Sequence, residues 1–256
     1  RRVPVICAEC LWYVERKPLK RLWQLLKFYI WDKAVDRYIV WDESECKSYP
    51  AAFHLPRHKF VFIPFFHTLN RYEYEIRKGD YVFAGGNYDR DYHTLCDAVR
   101  GLPYRVIVAT NLASNFDAID VPDNVEVRSV SPEEFRDLMA GCKINVVMME
   151  KGHVHAGGQQ TFINSMYMAK PTIVTDMRAE SYFENGKEAI AIEPGDVDSL
   201  RQNIINLYEQ DAVYKLISEQ GQEKAKDYTP AKTVQAIIDN AFDIIRKKNH
   251  SCRTND

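Results

Sequence analysis

His153–Pro171 reads HVHAGGQQTFINSMYMAKP, and the fold follows from what flanks it. Before it lies Ile144–Met149 (INVVMM), a short apolar run of strand type; after it lies Thr172–Thr175 (TIVT), another. Strand, glycine loop, helix and strand make a βαβ unit. Its loop falls at the carboxyl end of a parallel strand, where open α/β sheets bind ligands. Gly157 and Gly158 let the backbone approach a guest with no Cβ in the way. The free N–H groups near Gln159–Thr161 and the positive end of the helix dipole suit an anion, and a phosphate is the natural one. The competing reading is a tight connection whose glycines only shape the turn, and the spacing leaves both open.

Outward from this unit the chain alternates. Tyr81–Ala84, Tyr104–Ala109, Val125–Val127 and Ala189–Ile192 read as strands. Asp91–Arg100 reads as a helix with Tyr92, Leu95, Cys96 and Val99 on one face. Ser131 is an N-cap for Pro132–Cys142, with Pro at the first helical position and Glu133 and Glu134 in the first turn. Asp196–Glu209, Ala212–Asp227 and Pro230–Lys248 follow as helices, and Asn249–Asp256 reads as a frayed tail. The pattern implies a parallel sheet covered on both faces.

The chain has 256 residues, enough for one or two domains. Apolar residues make up 46% and charged ones 27%, which is globular usage and excludes a disordered chain. No apolar run is long enough to span a bilayer, and no signal peptide is visible. The net charge of −2 hides an asymmetry: residues 1–78 hold 15 Lys/Arg against 9 Asp/Glu, and the remainder is acidic. A basic first part suits an anionic substrate or membrane surface. The six cysteines are scattered; Cys7 and Cys10 are spaced C-x-x-C, with no second pair to complete a zinc set. That pair is either redox-active or two half-buried thiols near a strand end. The expected compartment is the reducing cytosol.

The first part offers strands at Val3–Cys7, Asp36–Trp41 and Lys59–Pro64, and a short helix or loop at Ser44–His54. Between the first two strands, Pro18–Lys33 (PLKRLWQLLKFYIWDK) repeats Leu22, Leu25, Leu26, Tyr29 and Ile30 at helical spacing, with Lys20, Arg21, Lys27 and Lys33 around them. It reads as a domain helix with one face in the core; the alternative is a helix lying on a membrane interface. Three strands make less than a doubly wound domain. The expectation is therefore a partial N-terminal domain over 1–75, with a charged linker near Thr68–Gly79, a complete domain over 76–228, and a closing helix over 229–256 that packs back on the first domain.

The order of motifs resembles retaining GT-B glycosyltransferases of group 1, chiefly their C-terminal, donor-binding half. Phe83–Leu95 (FAGGNYDRDYHTL) resembles that family's first strand, glycine turn and basic residue before a helix. Val127–Leu138 (VRSVSPEEFRDL) resembles its strand, turn and helix; Ala156–Pro171 resembles its donor loop and helix, ending in K-P; Gly195–Leu200 resembles its p-G-D-x-x-x-L segment. The resemblance spans about residues 36–245. It implies an α/β, GT-B-like fold with doubly wound parallel sheets.

The resemblance implies a donor site of Gly85, Gly86, Arg90, Val130, Glu150, His155, Gly157, Gly158, Gln159, Gln160, Thr161 and Asn164. An Arg and a Lys commonly follow the family's first strand and grip the donor diphosphate; here those positions are Gly85 and Arg90, so one cation remains. Two family glutamates fall on Ala156 and Asn164: the sugar-side carboxylate is absent, and an amide stands where ribose hydroxyls would be held. Where the family usually has an active-site histidine, this chain has Glu9 and Cys10, so Glu9 joins Arg90 as a catalytic candidate. His153 also lies in the loop.

The activity implied is transfer of a hexose from a nucleotide-diphosphate sugar to a saccharide or lipid-linked acceptor in polysaccharide biosynthesis. It would proceed with retention and without a metal or other cofactor, in the cytoplasm with peripheral membrane contact. No nucleic acid is expected as partner. Two other classes stand beside it: a nucleotide-sugar-binding protein impaired in catalysis, which the residues at Ala156, Asn164 and Glu9 favour, and a nucleotide-sugar epimerase on the same fold.

Overall fold

The computed structural model describes residues 3–8 and 10–253, with backbone alone for 248–253. The chain divides into two compact units: Arg1–Phe65 with His153–Ala156 and Thr229–Asp256, and Phe66–Gly152 with Gly157–Tyr228. Glu9 lies outside the described residues.

The first unit carries a parallel sheet of β1 (Ile6–Cys7), β2 (Arg37–Val40) and β3 (Phe60–Phe62), in that order. Tyr38 pairs with Cys7 on one side and Phe60 on the other. Helices α1 (Pro18–Asp32) and α2 (Glu45–Phe53) bring Phe28, Tyr49 and Phe53 onto one face, where Trp12, Tyr38 and Phe60 complete an aromatic core. Each such aromatic buries a large apolar area, and their tilted and edge-on contacts add to it. On the other face, Ile39, Trp41 and Ile63 meet Ala236 and Ile237 of α8 (Pro230–Arg253). Arg37 ties that helix down through Asn240 at 2.9 Å and Asp243 at 3.3 Å.

Two expectations for this unit change. The apolar repeat of α1 does not face the core: Phe28 is its buried residue, while Leu22, Leu26, Tyr29 and Ile30 are exposed. Helical periodicity locates an apolar stripe but not what covers it: the aromatic core takes Phe28 from α1, and Arg21 over the Phe53 ring and Asp32 on the Tyr38 hydroxyl make further contacts with α2 and the sheet. The tail at 249–256 is helical as far as Arg253, continuing α8.

The second unit is a six-stranded parallel sheet: β4 (Tyr81–Gly85), β5 (Arg105–Ala109), β6 (Val125–Arg128), β7 (Ile144–Val147), β8 (Thr172–Val174) and β9 (Ile190–Ala191). The spatial order is β6-β5-β4-β7-β8-β9. Alternate residues go to opposite faces. Val82, Ala84 and Val146 join Leu95 and Val99 of α3 (Tyr92–Val99) and Leu200 and Ile204 of α6 (Val197–Glu209). Phe83 and Ala109 instead meet Met139 and Ala140 of α4 (Pro132–Gly141). Burying each Leu, Ile or Val fully stabilises the fold by about 1.5–3 kcal/mol. Helices α5 (Gln159–Tyr167) and α7 (Asp211–Ala225) complete the unit. Ser131 caps α4 as expected, its hydroxyl oxygen accepting from the Glu134 N–H at 3.1 Å.

The chain builds outward from β4 to β6 and then crosses back to lay β7 beside β4. The turns after β4 and β7 therefore diverge from a shared point at the carboxyl ends of adjacent strands. Such a switch point leaves a crevice without any further device.

Candidate functional site

A cleft of about 570 Å³ opens at that switch point, entirely within the second unit. One wall is the turn after β4, with Gly86 and Asn87, and the end of β5, with Thr110 and Asn111. Polar side chains fix this wall. Asn87 Oδ1 accepts from the Asn111 N–H at 2.8 Å, and Asn111 Oδ1 accepts from the Val130 N–H at 3.1 Å and Ser129 Oγ at 2.8 Å. Each closes a turn that would otherwise leave backbone donors without partners. The opposite wall is the start of α5, with Gln160, Thr161 and Asn164, and a third side comes from Thr68, Leu69 and Tyr72.

Helix α5 starts from Gly158 at φ +80°, and no side chain caps it. The N–H groups of its first turn thus carry the positive end of the helix without a local acceptor. Gly158 is needed where it stands, and Gly157 lies close under the Met149 side chain. A Cβ on Gly158 would come 2.6 Å from Val147 Cγ1, and one on Gly157 would come 2.5 Å from Met149 Cε. The backbone of Met149 is held by its N–H donating to Thr175 Oγ1 at 2.7 Å.

Arg90 reaches the same methionine from the turn after β4. Its Nη1 lies 2.9 Å from Met149 Sδ and donates to the Tyr88 carbonyl at 3.2 Å; its Nε donates to the Gly85 carbonyl at 3.3 Å. These acceptors are all neutral. Burial lowers the Arg90 pKa, which measures how much the site disfavours an uncompensated cation. Gly86, at φ +136°, makes room for it: a Cβ there would lie 2.3 Å from Arg90 Nε. Arg90 and the mouth of α5 thus share Met149 as a neighbour. The Glu150 N–H donates to the Asp89 carbonyl at 3.1 Å, and its exposed side chain stands beside this turn.

The other expected residues are placed as follows. Gly86, Val130, Gln160, Thr161 and Asn164 line the cleft; Gly85 lies under it against Phe135; Gln159 is buried at the helix start. Asn164 is 8% exposed, and both ends of its amide meet Thr68: Oδ1 accepts from the Thr68 N–H at 2.8 Å and Nδ2 donates to Thr68 Oγ1 at 2.9 Å. It fastens Thr68 against α5. His155 and His153 belong to the first unit, where the His155 ring is buried 4.4 Å from Tyr13.

Several residues escaped the sequence. Arg136 of α4 lines the cleft with its guanidinium 4.0 Å from the Tyr72 ring and its Nη1 on the Pro132 carbonyl. A cation one turn past a capped helix start, between Phe135 and Leu138, was a readable signal. Thr68 and Tyr72 were hidden in a stretch with no periodicity. In the first unit, Glu45 is 2% exposed and accepts from the N–H groups of Trp41, Asp42 and Ala156 at 2.9–3.1 Å. Burial outweighs those donors and pushes its carboxyl up to about 7.

The family model for glycosyl transferases group 1 matches residues 82–210, half of the chain and nearly all of the six-stranded sheet. The chain belongs to the group 1 glycosyl transferases. Sugar transfer from a nucleotide donor is therefore the chemistry of this chain, and its α/β fold of parallel sheets is of GT-B type. Solved structures of the same fold include HepE of Anabaena in complex with UDP and glucose, at TM-score 0.74 and 14% identity over 94% of this chain and 71% of that one. A glycosyltransferase of Rickettsia africae matches at TM-score 0.71 and 11% identity, over 94% and 70%. Sucrose-phosphate synthase of Thermosynechococcus elongatus matches at 0.70 and 13%, over 92% and 63%. No curated protein matches the chain by sequence.

Proposed function

We propose that this group 1 transferase moves a hexose from a nucleoside-diphosphate sugar to a saccharide or lipid-linked acceptor in polysaccharide biosynthesis, with retention and without a divalent ion. The observation that carries the reading is that Arg90 and the uncapped start of α5 share Met149 as a neighbour. On this reading the pyrophosphate lies across that mouth, and the nucleoside extends along the wall of Asn87, Asn111 and Val130.

The bond between the anomeric carbon and the phosphate oxygen breaks, and its electron pair stays on the phosphate. Arg90 and the N–H groups of Gln159, Gln160 and Thr161 stabilise that charge as it develops. Retention requires the acceptor hydroxyl to attack from the face the phosphate leaves. The hydroxyl proton then passes to the departing phosphate oxygen. Arg136 stands within the cleft as a second cation for the nucleotide.

UDP is the first donor nucleotide to test, since HepE is solved with it. A thermal-shift series with UDP, GDP, ADP and their sugar conjugates tests the site. A specific ligand at a hundred times its Kd adds about 2.7 kcal/mol of apparent stability. Tm unmoved by every one of them overturns the reading, and turnover abolished by EDTA overturns the metal-free part. A second reading, binding without turnover, draws on Ala156 and on Asn164, whose amide is already engaged by Thr68. A shift in Tm with no product across a panel of acceptors selects it.

The proposal extends to a cytoplasmic, peripheral place on an anionic membrane. Among the described residues no helix is long and apolar enough to cross a membrane. Helix α1 exposes Leu22, Trp23, Leu26, Tyr29 and Ile30 together with Lys20, Lys27 and Lys33. Lys27 and Lys33 sit 4.2 and 4.5 Å from the rings of Trp31 and Tyr29. Apolar and aromatic groups among cations suit an anionic interface. Co-sedimentation with vesicles of phosphatidylserine and phosphatidylcholine should exceed that with phosphatidylcholine alone and fall in a Lys20→Glu/Lys27→Glu variant. Equal binding to both vesicles refutes it.

A further inference from the structure

The first unit holds a pair of thiols to which the transfer mechanism proposed above gives no part. Cys7 ends β1 at the edge of the three-stranded sheet and is half-buried; Cys10 is 2% exposed and belongs to the aromatic core. Their sulfurs are 3.9 Å apart, with the Cys10 thiol also 3.8 Å from the Cys7 carbonyl. The backbone just beyond is pinned to α2: Tyr49 Oη donates to the Cys10 carbonyl at 2.5 Å and accepts from the Trp12 N–H at 3.3 Å.

We propose that Cys7 and Cys10 are a reversible dithiol–disulfide site that exchanges with low-molecular-weight disulfides. Three observations converge on it. The C-x-x-C spacing is one that a single disulfide can close, and the fold brings the two sulfurs into contact across it. A disulfide needs about 2.05 Å between sulfurs, so closure takes a further approach of roughly 2 Å, which rotation of the half-buried Cys7 side chain can supply in part. The two thiols are also unlike. The Cys10 S–H donates to Cys7 and lowers the Cys7 thiol to about 7 against the effect of burial; the same bond, with burial, raises Cys10. The accessible sulfur is thus the nucleophile and the enclosed one resolves, the division that exchange requires.

The step balances with the disulfide as oxidant. The Cys7 thiolate attacks one sulfur of RSSR, an S–S bond forms to Cys7, and RS⁻ leaves. Cys10 then loses its proton, its thiolate attacks Cys7 Sγ, and the second RS⁻ leaves. The pair is oxidised by two electrons, RSSR is reduced to two thiols, and excess dithiol reverses it. Two thiolates make too small a ligand set for a structural zinc, which takes four.

The test uses the full chain. It is incubated in graded ratios of reduced and oxidised glutathione, quenched in acid, alkylated, and mapped by fragment masses. The expected result is a Cys7–Cys10 crosslink, two hydrogens lighter, that rises with oxidised glutathione and disappears with dithiothreitol. In Cys10→Ser the resolving sulfur is gone, and glutathione should accumulate on Cys7. The half-buried Cys46, whose thiol burial raises, is the internal control. In the wild-type chain at pH 7, where the Cys10 S–H bond is present, Cys7 should react with a limiting alkylating agent faster than Cys46, since its thiolate fraction is larger. The proposal is overturned if both wild-type thiols stay alkylatable at every ratio. It is equally overturned if no glutathione accumulates on Cys7 in Cys10→Ser, or if Cys7 of the wild-type chain is alkylated no faster than Cys46. The wild-type measurement needs no variant, so a misfolded mutant does not protect the idea.

Discussion

Replacing Arg90 with Ala separates a ligand-binding cation from a structural one. In the unliganded chain its guanidinium bonds only to two carbonyls and a thioether, and burial penalises its charge. Removing it gives up two bonds from an ionised donor to carbonyls, about 1.5–3 kcal/mol each, and relieves the desolvation cost of the guanidinium, of the same order. Apparent stability should therefore stay within about 1 kcal/mol, a Tm shift of about 2–4 °C. The ligand side is different. A guanidinium fork on two phosphate oxygens contributes charge-assisted bonds of about 1.5–3 kcal/mol each. Losing about 3 kcal/mol of that in the transition state lowers kcat/KM roughly a hundredfold. The assay is nucleoside-diphosphate release from the donor identified by thermal shift, with Tm recorded with and without UDP. Arg90→Lys keeps the charge but not the fork, so it should recover only part of the loss. The reasoning is refuted if Arg90→Ala turns over within threefold of wild type. It is refuted too if the unliganded Tm falls by about 10 °C, because the cation would then hold the fold.

Two further substitutions and titrations probe neighbouring claims. Gly158→Ala forces a Cβ into left-handed backbone, costing about 1–2 kcal/mol, and against Val147 Cγ1 at 2.6 Å. Its unliganded Tm should fall by about 5 °C, unlike that of Arg90→Ala, and an unchanged Tm contradicts the stated need for glycine there. Glu45 sets a pH dependence. Its folded pKa of about 7 lies above the ordinary 4.5, so the folded chain holds this proton more tightly. Stability from this group is full below 4.5 and is lost as pH rises through 7, about 3 kcal/mol in all. Urea unfolding across pH 5–8 should show that fall, and Glu45→Gln should flatten it; a profile identical in the two proteins removes Glu45 as the cause.

How much of this was written in the chain depends on whether a feature is local. The capping hydroxyl of Ser131, the proline after it and the apolar runs of β4, β5 and β7 act within a few residues, and each is found where it was expected. The parallel sheet follows from alternation alone. The order β6-β5-β4-β7 is a tertiary fact, and with it comes the cleft at the switch point. Asn87 and Asn111 look like loop asparagines until the strands place them, and then they fasten one turn to the next. Thr68 belongs to a stretch without period and gains its role from Asn164, 96 positions away. Spacing could not assign His153–Ala156 to the first unit, nor find the Ala156 N–H on Glu45. On α1, periodicity gave the stripe, and the contacts of Phe28 decided which side is covered.

The glycine loop admitted two readings, and geometry grants the modest one at Gly158, which Val147 and a left-handed φ require. Turn-shaping leaves one thing over. An uncapped helix start and a half-buried guanidinium, both positive, share Met149; among the described residues the Arg90 bonds go to two carbonyls and the thioether, and the Asp89 charge only partly offsets its burial. Like-signed fields placed together cost stability in the empty protein and reward an anion that lies between them. Inorganic pyrophosphate, which carries none of the sugar or base contacts, should therefore raise Tm by itself. The shift should shrink as salt rises from 0.05 to about 0.5 M, since the screening length falls from roughly 14 Å to roughly 4 Å. It should shrink also in Arg90→Ala. A pyrophosphate shift that is equal in wild type and Arg90→Ala would mean the anion binds elsewhere, and the glycines would then be shaping a turn and nothing more.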